Sequence, residues 1–271
     1  MSTLPLTLQQ IDDPANYRLG LMISDDAIDV VVRRVMGEGE ALTAHIALAQ
    51  GADRAAAVEE AIYANPLLPA QPFNRVDIIL RPDRFQIVDE ATGRDPAAID
   101  TLLELVAGTE ELPAVLADKV TDAYRMLIAL PPMLEKFLHR TFDRAHIRGH
   151  LSVLAEYFHR QSRQGNCNKI YAVIHGSRLD VLAFAPAGLQ AANSYVCPSI
   201  NDAAYYILVL AKMLNFSVET DHLLVAGDSS LRASLLSHLR QFAANAMPAI
   251  LPAEAGAVNA PVHLQILPLC E

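Results

Sequence analysis

The sequence predicts an α/β protein in which one structural unit is used twice. Three observations lead there. Short apolar runs of strand character alternate with stretches of helical composition. The first strand pair returns, without a gap, later in the chain. Of 271 residues, 52% are hydrophobic and 19% charged, which supplies a sizeable core and argues against wholesale disorder.

The elements follow in order. YRLGLMIS (17–24) and IDVVVRRVM read as strands around the polar turn Asp25-Asp26, and ALTAHIAL is a third strand after the loop GEGE (37–40). ADRAAAVEEAIYANP changes to helical composition and stops at Asn65-Pro66. VDIIL (76–80) is a short buried strand. Asp95-Pro96 opens a helix to about Ala107-Gly108, with Asp as N-cap and Pro at the first helical position. Gly108 to Thr121 reads as a loop, YRMLIAL as a strand, and Pro131-Pro132 begins the helix MLEKFLHRTF. HLSVLAEYFHRQ is a further helix that ends in the polar run SRQGNCN.

The opening pattern then recurs. KIYAVIHGSRLDVLAF is a strand pair, LQAANSYVCP a third strand, and NDAAYYILVLAKML a helix with Asn201 or Asp202 as cap. HLLVAGD is a buried strand. SSLRASLLSHLRQFA is an amphipathic helix capped by Ser229 or Ser230, with Leu231, Leu235, Leu239 and Phe242 along one side. AMPAIL and VHLQILP are candidate closing strands.

Under a shift of 151 (174 − 23), RLGLMISDDAIDVVV lies over KIYAVIHGSRLDVLA. Ile23 falls on Ile174, Ile28 on Leu179, Asp29 on Asp180 and Val30 on Val181. VDIIL is laid over HLLVA. The repeat therefore predicts duplication of three antiparallel strands, a helix, a strand, a helix and a strand. Each copy would be a mixed sheet with helices on its faces.

Two such copies resemble the actin-like ATPase superfamily, whose halves are ribonuclease H-like, over about Tyr17 to Leu251. More narrowly, VDIILRPDRF, YRMLIALPPMLEKFL and KIYAVIHGSRLDVLAFAPAGLQAANSYVCPSINDAAYYILVLAKML are similar to an uncharacterised bacterial domain-of-unknown-function family with that duplicated fold. The resemblance implies two ribonuclease H-like lobes, each a mixed five-stranded sheet with helices, arranged as in actin-like ATPases. The expected division is a first lobe over residues 1–130 and a second over 131–271, joined near residues 131 to 148. The narrower family brings no activity with it.

In the superfamily, ATP lies between the halves, and the first turn of each half holds phosphate, typically through Asp-x-Gly followed by Ser or Thr. Turn N–H groups meet phosphate oxygens, Gly permits the approach, and the carboxylate acts through Mg²⁺. The first-half turn here, Ser24-Asp25-Asp26, has carboxylates but no glycine. The second, His175-Gly176-Ser177-Arg178, has glycine, hydroxyl and cation but no carboxylate. Arg178 would meet phosphate, lie on the surface, or pair with Asp180 or another acid. The resemblance also implies an adenosine motif of an apolar strand ending in two glycines. LLVAGDSS offers Ala226-Gly227 there, with Asp228 or Ser229 as the cap of the next helix in the plainer reading. No Walker-type loop or G-x-G-x-x-G is present.

Other chemistries lack their residues. His139, His146, His150 and His159 fall close together, but Gly149 interrupts a shared helical face and no carboxylate or Cys stands at ligand spacing. A two-metal nuclease needs several gathered carboxylates, and Asp25, Asp26 and Asp29 read instead as a polar hairpin. The nucleophile elbow G-x-S-x-G is missing. Net charge −10 and pI 5.3 without a basic stripe disfavour nucleic acid as a partner. Cys167, Cys197 and Cys270 are widely spaced, which suggests reduced structural thiols. MSTLPLTLQQIDD lacks a signal-peptide pattern, and AAYYILVLA (203–211) is too short to span a bilayer.

The expectation is a cytoplasmic, non-catalytic or nucleotide-vestigial actin-like protein that acts as an interaction or scaffold protein, with no cofactor, an unidentified protein partner, and homo-oligomerisation left open. ILPAEAGAVNAPVHL reads as a surface loop before a closing strand, with no independent sign of partner binding. The alternative is an ATP-binding protein or sugar-kinase-like phosphotransferase using the interlobe cleft. In it Asp25 or Asp26 would position Mg²⁺, Gly176 and Ser177 would hold phosphate, and Gly227 would pack under adenine.

Overall fold

The computed structural model describes residues 11–36, 41–49, 51, 53–69, 71–107, 114–252 and 258–270. These divide into two compact units. The first comprises Met1–Ser152 and Val258–Leu267, the second Val153–Ala257 and Pro268–Glu271.

In the first unit, β1 (Tyr17–Ser24), β2 (Ala27–Arg34) and β3 (Leu42–Ala47) form an antiparallel set, followed by α1 (Arg54–Tyr63) and β4 (Arg75–Arg81). An insertion of β5 (Phe85–Asp89), α2 (Pro96–Ala107), β6 (Ala114–Lys119) and β7 (Tyr124–Leu130) comes next, then α3 (Pro132–Thr141) and β8 (His146–Gly149). The main sheet runs β3-β2-β1-β4-β8, with β4 parallel to both β1 and β8. β5-β7-β6 is a separate antiparallel sheet.

α4 (His150–Ser162) begins in the first unit and continues into the second. There β9 (Lys169–His175), β10 (Arg178–Ala185), β11 (Gly188–Val196), α5 (Ile200–Met213), β12 (His222–Gly227), α6 (Ser229–Leu239) and β13 (Ala246–Pro248) follow. The sheet order is β11-β10-β9-β12-β13, the order of the first sheet again. The duplication holds at the level of register: Ile23 pairs with Ile28, and Ile174 with Leu179. The two units are thus both ribonuclease H-like mixed sheets, as the sequence predicts.

One face of the second sheet packs on α5 and α6 through Ile170, Ala172, Ile174, Ile207, Leu235 and Leu239, all buried. On the other face Phe158 of α4 stacks on Tyr171 at 4.2 Å, and Phe184 meets Tyr171 edge-on at 5.9 Å. Burial of Tyr171 raises its phenol's pKa. In the first unit Leu19, Leu21, Ile23, Ile28, Ile78 and Val58 are fully buried. Among the described residues no helix is long and apolar enough to cross a membrane.

Several details differ from the expectations. The strand after the first helix is shifted by one residue from the proposed overlay. Leu19 pairs with Val76 and Ile170 with Leu223, so Val76 corresponds to Leu223 and the offset is 147 (223 − 76), not 146. Strand side chains alternate faces, so pairing decides this where hydrophobicity does not. The compact units also divide after Ser152 rather than after residue 130, because β8 pairs with β4 and so keeps residues 146–149 in the first sheet. Of the expected loop at 108–121, residues 108–113 lie outside the described set, and Ala114–Lys119 is β6, held by pairing with β7. The loop GEGE (37–40) lies outside it too.

VHLQILP is not a strand. Val262–Ile266 forms a short helix, α7, followed by a 3-10 turn at Leu267–Leu269. Val262, His263, Leu264 and Ile266 are all buried, so no polar face marks the helical period. Gln265 Nε2 donates to the carbonyls of Val258 and Ala260, which fixes the approach to α7. α7 lies over Gly20 of β1, where an added Cβ would sit 3.2 Å from Leu264. The cap of α5 is Ser199, in a capping box with Asp202 at N3, rather than Asn201 or Asp202. Phe242 lies beyond α6 and is 60% exposed.

Candidate functional site

The two β-hairpin turns named by the sequence lie at corresponding places in the two sheets. Each follows the last pair of its first two strands.

In the first unit Asp25 forms an ion pair with Arg54, the first residue of α1. Asp53 caps that helix, accepting from the N–H of Ala55 at 2.7 Å. Both partners are about three-quarters shielded, with side chains 27% and 24% exposed, so the pair is only partly screened by water. The Asp26 carbonyl accepts from the N–H of Leu48 at 2.8 Å and ties the turn to the residue after β3. The Asp26 side chain itself is exposed. Asp25 and Asp26 thus differ: one carboxylate is neutralised from within the unit, and the other faces water.

In the second unit the chain brings His175, Gly176, Gly227 and Asp228 together. His175 Nδ1 lies 2.8 Å from Asp228 Oδ1, and the Gly176 N–H donates to Asp228 Oδ2 at 3.0 Å. The Asp228 N–H donates to the Ile174 carbonyl at 3.0 Å. Gly176 has φ +55, and nothing stands within 4 Å of the position a Cβ would take there. Gly227 has φ +115, and a Cβ there would run into the Ile174 carbonyl. Gly227 is therefore the residue that lets β12 lie against β9 and aims Asp228 at the turn. Ser177 is exposed, and its carbonyl accepts from the Cys197 N–H at 2.6 Å. Ser229 opens α6 and is exposed. Arg178 begins β10, opposite Val196 and His175.

Burial alone would raise the Asp228 carboxyl. The hydrogen bond from His175, the Gly176 amide and the charge on His175 outweigh it and hold the carboxyl below its ordinary value. Asp228 is the N-cap of α6 by position but makes no side-chain capping bond. Its carboxylate is spent on the turn instead, which corrects the reading of Asp228 as an ordinary cap. The Gly176 N–H, the backbone donor a phosphate would seek, already meets an internal anion.

The duplication sharpens the contrast. Ile23 pairs with Leu80 and Ser24 with Arg81, while Ile174 pairs with Gly227. Leu80 thus corresponds to Gly227, and Arg81 to Asp228. The position at the end of the fourth strand carries a buried cation in one unit and an anion in the other. Asp29 and Asp180 also correspond. Asp29 lies 2.7 Å from His45 Nδ1, and Asp180 accepts from Ser194 Oγ at 2.6 Å, in each case from the residue opposite on the neighbouring strand. Asp25, Asp26 and Asp29 do not converge: Asp25 meets Arg54, and Asp29 meets His45.

The histidine cluster disperses as well. His139 lies in the last turn of α3, His146 begins β8, His150 begins α4 with its ring fully buried, and His159 lies near the end of α4. Among the described residues no group of three or more His, Cys, Asp or Glu is arranged to hold a metal ion.

Sequence reasoning missed Arg54 as the partner of Asp25, and the link from Asp228 to His175. The first has a local signal, since Arg54 follows the N-cap Asp53. The second joins residues 53 positions apart and has none.

The family described as Protein of unknown function (DUF3822) matches residues 8–246. No curated protein matches the chain. A solved structure from Bacteroides thetaiotaomicron VPI-5482, of a protein with actin-like ATPase fold and unknown function, is 21% identical with a TM-score of 0.77. The match covers 95% of this chain and 97% of that one. The PilM-PilN type IV pilus biogenesis complex contains a chain 14% identical, with a TM-score of 0.56 and coverage of 95% and 100%. The fold shared with these structures is that of the actin-like ATPases, and the chain described here belongs to the DUF3822 family.

Proposed function

We propose that this chain is a non-catalytic, nucleotide-vestigial actin-like protein of the cytoplasm that works by binding another protein. The observation that carries the proposal is that Asp25 at the first turn and the Gly176 amide at the second both meet partners within their own units. Asp25 is committed to Arg54, and Asp228 occupies the amide of Gly176. A carboxylate that holds Mg²⁺ must offer its lone pairs to the ion or its waters. Asp25 would have to give up a shielded ion pair to do so. A triphosphate at the second turn would have to displace Asp228 from an amide and a histidine, and would otherwise meet its negative charge.

The protein-binding half of the proposal draws on the PilM-PilN complex, in which a chain of similar fold is part of a two-protein assembly. It is an analogy of fold, and fold alone does not fix function.

Thermal unfolding in rising Mg-ATP tests the first half. A cleft that binds raises stability as RT ln(1 + [L]/Kd), about 2.7 kcal/mol at a hundredfold excess over Kd. The expected result is a flat response into the millimolar range. Capture of the tagged chain from native lysate tests the second half. A stoichiometric protein partner is expected, and a bare monomer would contradict it.

A further inference from the structure

The geometry points to a second surface, far along the strands from the hairpin turns: a row of three arginines on the first sheet that receives an acidic, extended peptide segment of a partner protein. Arg33 of β2 is paired in register with Arg18 of β1, and Arg18 with Arg75 of β4. Residues directly opposite on neighbouring strands share a face. Three guanidinium side chains therefore stand side by side across β2, β1 and β4, each half-buried. The chain carries a net charge of −10, yet here it places like charges in adjacent strand positions, an arrangement that works against the fold.

The duplicated unit shows that the fold does not require them. The corresponding row is Phe184, Lys169 and His222, paired in the same register. Phe184 is buried, and Lys169 Nζ donates to the carbonyls of Gln161, Ser162 and Gln164, where α4 ends. The second unit closes its row with an aromatic ring and a helix terminus. The first fills the same three positions with arginines.

Their surroundings are unequal. Arg75 is held by Asp77 at 2.9 Å. Nη2 of Arg33 is shielded from water and meets no acceptor among the described residues. Burial also lowers the pKa of Arg33. Arg33 as a whole is only half-buried, so the part of its side chain left at the surface is what an incoming carboxylate would meet, offsetting the like charge along the row.

The dimensions select the class of ligand. Three strands at about 4.8 Å spacing spread the row over ~10 Å, too wide for one phosphate or carboxylate. An extended peptide repeats its side chains on one face about every 7 Å, so a pair of glutamates or aspartates two positions apart would bridge most of the row. A polynucleotide carries its charge well beyond the row, whereas a short acidic segment ends with it. The inference gives the chemistry of the partner in the proposed function but stands on a different part of the fold. Mg-ATP binding would overturn that reading and leave this one intact.

The test is fluorescence anisotropy of the whole chain with a short labelled peptide alternating glutamate and threonine, at low and at physiological salt. The control peptide carries glutamine for glutamate. Saturable binding is expected for the glutamate peptide alone, weakening as salt rises. Arg33→Gln is expected to lose at least about tenfold in affinity. Arg140→Gln, on the exposed end of α3, is expected to bind as the unaltered chain does. Unchanged affinity in Arg33→Gln, absence of saturable binding, or full competition by inorganic phosphate or a short single-stranded oligonucleotide at equal concentration would overturn the inference. Should Arg33→Gln fail to fold, equal binding of the glutamate and glutamine peptides to the unaltered chain does the same.

Discussion

His175 and Asp228, 53 residues apart, meet at 2.8 Å across the ends of β9 and β12, and the same carboxylate takes the Gly176 N–H at 3.0 Å. One acid thus holds both the His175 ring and the amide of the turn. Gly227 makes the contact feasible, because only a residue without Cβ lets the chain pass the Ile174 carbonyl before Asp228.

Gly227→Ala therefore costs more than about 3 kcal/mol or abolishes folding, since φ +115 and a backbone collision act together. Gly176→Ala costs about 1 kcal/mol, since φ +55 is the left-handed region but the space is open. Denaturant unfolding of the two variants checks the contrast.

The Asp228 carboxyl lies below its ordinary value of 3.8 in the folded chain. Its ionised form therefore favours the fold above about pH 4, and that contribution is lost as pH falls below. Asp228→Asn lacks it. The variant should be less stable at pH 7 by about 1 kcal/mol or less, given the exposure of the pair, and should lose less stability between pH 4 and pH 2. Acid unfolding followed by circular dichroism reads both slopes.

Asp25 and Arg54 form a shielded pair at the first turn. Arg54→Gln is expected to cost about 1–2 kcal/mol by stranding the Asp25 carboxylate. The double variant Asp25→Asn, Arg54→Gln is expected to recover part of that loss, and a double-mutant cycle gives the coupling.

The three thiols are expected to react in order. Cys197 is 5% exposed and pushed up to about 11 by burial and then by the Asp202 charge, and Cys270 is 4% exposed. Cys167 is half-buried, with Sγ 3.8 Å from His222 Nδ1. Alkylation at pH 8 followed by mass spectrometry should modify Cys167 first, and the other two only on unfolding.

Much of the fold was legible because the duplicated strands are apolar and keep one register. Ile23 on Ile174 and Asp29 on Asp180 are true equivalents, and helix boundaries at Asp95-Pro96 and Asn65-Pro66 carry local signals. β6 was missed because its partial burial depends on β7, and α7 because burial on every side erased its period. At the site the sequence identified the turns and the split of their charges. It did not show that Asp228 reaches back to Gly176, since that needs the parallel pairing of β12 with β9, a long-range contact that no local pattern encodes.

Isothermal titration of Mg-ATP into the whole chain, beside Asp228→Ser, tests the closed-turn account most directly. The account expects no saturable heat from the unaltered chain at millimolar ATP. A saturable isotherm with Kd below about 100 μM, about −5.5 kcal/mol of binding free energy or stronger, would contradict it.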